Sequence, residues 1–234
     1  FVSHTQLVGR AAEGMQIRTG WLPVTRTPRS PLVNHALADT LASAGAGLRW
    51  QLCASDETAL PGAAGLRAML RRRAERPLPL CLPAGTVTPG ADAIFLAGPP
   101  LDHPLAWRCY CRQSLLALRG RTSSGAMLLR TQAPPRLASG VVGLARTFSA
   151  VVPNAWLAVD WTNRGVDVLL GGPADVLPPP PREAPLRVQP VAELLAGTEA
   201  GPVIRLTSPA ASLRPGGEAG RHLRRFVRAP ANGH

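Results

Sequence analysis

"PPRLASGVVGLARTFSAVVPNAWLAVDWT", residues 134–162, reads as an apolar helix over about 137–151, a proline turn at Pro153 and a strand over 156–161. Little in it suggests chemistry of its own. A strand this apolar, reached from a helix this apolar, belongs to a sheet whose two faces are both covered.

Working outward, the same alternation recurs upstream. A strand-like MQIRTGWLPV (15–24) precedes a helix over 31–45, in which Leu32, Val33, Ala36, Leu37, Leu41 and Ala44 approximate one face, stopped by Gly45 and Gly47. LRWQLC (48–53) follows as a strand and 62–75 as a helix. Then come a buried strand at 91–98, one helix over 104–120 and a strand at 125–132. The pattern predicts an α/β fold with a parallel sheet and helices on both faces, which right-handed crossovers would make Rossmann-like. After Asp167 the order weakens into LLGGPADVLPPPPREAPLR, whose four consecutive prolines predict a stiff linker. A short helix at 190–197, a strand at 202–208 and a basic ending complete the reading.

Composition bounds the class. The chain has 234 residues, 45% of them hydrophobic and 17% charged, with 25 Pro and 23 Gly, so an ordered core with long loops is expected. All 26 basic residues are Arg, which resembles a coding bias more than a chemical choice, and the formal net charge is +12. The densest runs are Arg67, Arg71, Arg72, Arg73 and Arg76, then Arg221, Arg224, Arg225 and Arg228. With one Tyr and four Phe for base stacking, they read as solvated faces and argue against nucleic acid as the partner.

The four cysteines, Cys53, Cys81, Cys109 and Cys111, show no disulfide framework, and neither the Cys-x-Cys spacing nor nearby His103 completes a zinc site. No metal is expected, and a reducing, cytoplasmic setting is the simpler reading. The first twenty residues contain no long apolar stretch, and nowhere do about eighteen apolar residues run together, so neither a secretory leader nor a membrane span is expected. Starting at Phe1 without Met, the chain reads as part of a longer polypeptide.

A parallel α/β sheet invites a test for nucleotide binding, which needs glycines where the first strand meets its helix. That place holds VTRTPRSPL (24–32), without a glycine. The GAG at 45–47 ends a helix and the G-x-x-G at 140–143 lies inside one, so no cofactor is expected. Short-chain dehydrogenase chemistry needs a Tyr proton donor with Lys four residues on. The only tyrosine is Tyr110, position 114 is Ser, and the chain has no Lys. There is also no nucleophile elbow or Walker loop, and the histidines (4, 35, 103, 222, 234) are scattered. No catalytic, cofactor-binding or metal-binding residue is assigned. Arg146 is expected to cap strand ends or pair with Asp160; Trp21, Trp156 and Trp161 are expected to supply core or interface area.

Several short motifs carry a resemblance. They are Trp21-Leu22-Pro23, Phe95-Leu96-Ala97-Gly98, Gln113-Ser114-Leu115 and Leu129-Arg130-Thr131, together with Gly143-Leu144-Ala145-Arg146 followed by Pro153 and Asp160. In these the chain resembles the structural, non-catalytic half of the ketoreductase region of modular polyketide synthases and animal-type fatty acid synthases. It departs from that family at Val151, where a Glu is usual, and in a Pro-to-Asp spacing one residue short. The resemblance implies a truncated Rossmann-like, short-chain dehydrogenase-like domain over 15–229, flanked by linkers at 1–14 and 230–234. It also implies no NADPH site, no activity from this chain alone, and a bracing role against a catalytic half and neighbouring synthase domains. Gly220 and Arg224-Arg225-Phe226-Val227-Arg228 would then form a turn and strand leading towards that half. The alternative is a basic structural subunit of a large ribonucleoprotein assembly.

Overall fold

Pro31 has no backbone N–H to satisfy and Ser30 has a hydroxyl to offer, so the pair opens a helix: Ser30 Oγ accepts from Leu32 N at 3.1 Å and Val33 N at 3.3 Å. This helix, α1 (Pro31–Ser43), is the first element among the described residues of the computed structural model. The structure describes residues 30–43, 48, 50–54, 74–78, 91–102, 106–162, 165–181, 186–198, 203–204 and 218–228. The expected strand at 15–24 with Trp21, and the expected linkers 1–14 and 230–234, lie outside the described residues.

The elements that follow are β1 (Trp50–Ala54), β2 (Ala74–Leu78), β3 (Ala93–Ala97), α2 (Ala106–Tyr110), α3 (Arg112–Arg119) and β4 (Ala126–Ala133). A short 3-10 turn, Pro135–Leu137, leads into α4 (Ala138–Ser149), then β5 (Trp156–Thr162), β6 (Gly165–Gly172), β7 (Arg187–Pro190), α5 (Val191–Ala196) and α6 (Glu218–Arg228). The strands form one open sheet in the order β2-β1-β3-β4-β6-β5-β7.

The sheet is mixed, which corrects the expectation of a parallel one. β2, β1, β3 and β4 run parallel, whereas β6 is antiparallel to β4 and β5, and β7 is antiparallel to β5. The cause is a hairpin: Thr162 pairs with Gly165, so β6 folds straight back along β5 and takes the place between β4 and β5. Residues 169–172, expected to begin the loss of order, instead complete a strand over 165–172 that is buried along its whole length. Trp50–Ala54 pairs with Ala93–Ala97 residue for residue, so the parallel part runs in a 2-1-3-4 order, one of the two common doubly wound arrangements.

Both faces are covered, as expected. On one, Val33, Ala36 and Leu37 of α1 pack with Phe95, Leu128, Trp156 and Leu169. On the other, α2 to α6 contribute Tyr110, Leu115, Val141, Phe148, Leu194 and Leu223 against Ile94, Leu129, Leu157 and Val168. Each large apolar side chain removed from water in this way contributes about 1.5–3 kcal/mol. α4 is apolar nearly all round because it is buried nearly all round, with nine of its twelve residues buried. Gly171, opposite Trp156, leaves room for that ring, whose Nε1 donates to Leu177 O at 2.7 Å.

Three further expectations change. The single helix over 104–120 is two, broken at extended Cys111, because Arg112 N donates to Ile204 O at 2.8 Å. The end of the helix expected at 62–75 is strand β2, and the rest of it lies outside the described residues. The expected strand around Arg224–Arg228 is helix α6, which turns its buried Leu223 onto the core. Ile204 belongs to no strand among the described residues; it is fully buried and held through its N–H by Thr147 Oγ1 at 2.9 Å.

Candidate functional site

In open α/β sheets, ligands sit beyond the carboxyl ends of the parallel strands. Here the segment that leaves β3 is bonded back onto the sheet. After β3 the backbone continues alongside β4, with Gly98 N donating to Arg130 O at 2.9 Å and Leu101 N to Gln132 O at 2.8 Å. Between them, Pro99 O accepts from Tyr110 Oη at 2.5 Å and from Thr131 Oγ1 at 2.7 Å. Tyr110 is fully buried, and Gly98 must be glycine because a Cβ there would overlap the phenol ring. The sole tyrosine thus has its hydroxyl committed to a carbonyl.

Side-chain alternation places Arg130, Gln132, Asp160 and Asp167 on the α1 face, since Leu128, Ala158 and Leu169 belong to the core on that side. Gln132 faces Asp167 across β4 and β6, and Asp167 faces Asp160 across β6 and β5. Arg130 is fully buried and donates to Asp167 Oδ2 through Nη2 at 2.8 Å and to Oδ1 through Nε at 3.4 Å. Asp167 Oδ2 also accepts from Ser30 N at 2.7 Å. One buried carboxylate therefore ties together β4, β6 and the start of α1. Gln132 Nε2 is buried without a hydrogen-bond partner.

This buried pair was not assigned from the sequence. A signal existed: Arg130 interrupts an otherwise apolar run, AMLLRTQA, and a charge in a buried strand requires a partner. Arg146 does not meet Asp160, because α4 packs on the opposite face of the sheet; its Nη2 donates to Thr198 Oγ1 at 2.9 Å, tying α4 to the end of α5. Trp156 is core, and Trp161 is half-buried beneath Arg224, whose Cζ stands 4.9 Å from the ring centroid.

The cysteines depart from the expectation of reduced thiols. Cys109 is disulfide-bonded, while Cys111 is a free, buried thiol with Sγ 3.2 Å from Ser114 Oγ. Disulfides persist in oxidising compartments, so the bond weighs against the reducing setting. His103 lies outside the described residues, and among those residues no three His, Cys, Asp or Glu gather as metal ligands would. No helix among them is long and apolar enough to cross a membrane. No family model, no curated protein and no solved structure matches this chain.

Proposed function

We propose that this chain is a non-catalytic structural subdomain, a truncated Rossmann-like unit that braces the ketoreductase of a multidomain polyketide or fatty acid synthase. The observation that carries the reading is that the tyrosine, arginine and aspartate near the ends of β3, β4 and β6 spend their polar groups on the fold itself. The segment after β3 is stitched to β4, Tyr110 is sealed against Pro99, and Asp167 spends its oxygens on Arg130 and Ser30, so these groups are committed to structure. A tyrosine acting as proton donor must reach a substrate carbonyl. Tyr110 is fully buried and reaches a backbone carbonyl instead.

In this reading the partners are the catalytic ketoreductase half and the neighbouring synthase domains. The isolated chain neither binds NADPH nor reduces a β-keto thioester. The test is co-expression with the catalytic half encoded in the same reading frame, followed by size-exclusion chromatography and a reductase assay. The two are expected to elute together at micromolar concentration, with reduction falling when this chain is removed. Separate elution with unchanged reduction, or turnover by this chain alone well above a no-enzyme control, overturns the proposal.

A further inference from the structure

α6 has two unlike faces. Inward, Leu223 is fully buried and a ring nitrogen of His222 lies 3.1 Å from Leu194 O. Outward, Arg221, Arg224 and Arg225 are exposed. Their i, i+3, i+4 spacing gathers the three charges on one side within about a single turn. Arg224 lies over the Trp161 ring at 4.9 Å, a cation–π contact that fixes its direction and keeps its charge. Arg136, with its side chain 73% exposed, stands three residues before Ser139, beside which Gly220 packs, so a fourth cation lies near the same end. No ion pair among the described residues involves Arg221, Arg224 or Arg225.

We propose that the outer face of α6 docks an acidic protein helix, one that presents Asp or Glu at matching i, i+3 and i+4 positions. Guanidinium forks pair with carboxylates in two parallel hydrogen bonds, and a fixed row on a helix selects a matching row. A second copy of this chain does not fit, because its net charge of +12 would bring like charges together. A single-stranded nucleic acid is a poorer fit, since it calls for a basic groove lined with aromatic platforms. Among the described residues the only exposed large hydrophobic side chain is Leu116, and Trp161 is already covered by Arg224. This inference names a partner's chemistry without depending on the ketoreductase reading.

The experiment uses the full chain and two helical peptides of equal composition, one with Glu at i, i+3 and i+4 and one with the same Glu residues scrambled around the helix. Poly(U) serves as a third probe. Binding is followed by fluorescence anisotropy at low and physiological salt, because exposed charges are screened within about 8–10 Å. The matched peptide is expected to bind several-fold more tightly than the scrambled one. Arg221→Gln/Arg225→Gln should weaken it about five- to tenfold and erase the preference. Arg112→Gln/Arg121→Gln removes the same number of exposed charges elsewhere and should preserve the preference. Equal binding of the two peptides overturns the proposal, as does an equal loss in both double variants, and so does tighter binding of poly(U) that is lost with Arg221 and Arg225. Glutamine keeps helix propensity close to that of arginine, so these variants should fold.

Discussion

The sheet has two regions held in different ways, with β4 as the seam between them. On the parallel side, β3 is buried at every position and entirely apolar, so desolvation alone accounts for its place. On the antiparallel side, β6 is equally buried yet carries Asp167, which meets Arg130 across the seam. An apolar strand is indifferent to sliding by two residues, but a buried charge pair is not. A slip of one residue would also send Asp167 to the α4 face, away from Arg130 and Ser30. β3 is thus specified by burial, and the seam by burial together with one charge pair that fixes register and docks α1.

The largest expected effect tests that difference. Arg130→Met leaves Asp167 buried with its main cationic partner gone, and should cost about 3–5 kcal/mol in urea unfolding. The double change Arg130→Met with Asp167→Leu should recover most of the loss, since apolar replacements of a buried pair are often neutral or better. A single-variant loss under about 1 kcal/mol, the range of exposed pairs, would mean that the seam is held by apolar contact like the rest of the sheet.

The next effect belongs to Cys109 on α2, which is disulfide-bonded while Cys111 is free. A staple there should contribute about 2–4 kcal/mol, so a thiol reductant should lower stability by that amount in wild type and have no such effect on Cys109→Ser. Titration of the denatured chain without reductant should find two free thiols, the four cysteines less the bonded pair. Four free thiols would favour the reducing setting expected from the sequence.

What was legible in the sequence follows the same division. The helix at 137–151 and the strand at 156–161 were readable because apolar runs and a proline turn mark them without reference to distant residues, and they appear as Ala138–Ser149 and Trp156–Thr162. β6 was not. Asn163 and Arg164 separate it from β5 without the Asn-Gly or Asp-Gly that signals a tight hairpin, and the Gly-rich end beside the four prolines looks like a linker. α6 is a helix where the resemblance implies a strand, because Leu223 between arginines also suits an amphipathic helix. At the candidate site, the lack of a Lys near Tyr110 was plain. The Arg130–Asp167 contact was not, because it joins residues 37 apart through an unforeseen strand.

The smallest effect separates a structural tyrosine from a reacting one. Tyr110→Phe removes the hydroxyl that donates to Pro99 O, but Thr131 Oγ1 still donates to that carbonyl at 2.7 Å, so no buried acceptor is left bare. The cost should therefore be that of one ordinary hydrogen bond, about 0.5–1.5 kcal/mol by urea unfolding. It should fall well below that of Arg130→Met, whose partner is stranded. In the assembly proposed above, the rate of ketoreduction should be unchanged by Tyr110→Phe, because the hydroxyl is bonded to Pro99 O. A loss of 10²-fold or more, the scale of removing a positioned general acid, with the melting curve unaltered, would make Tyr110 a reacting group and reverse the reading of it as scaffold.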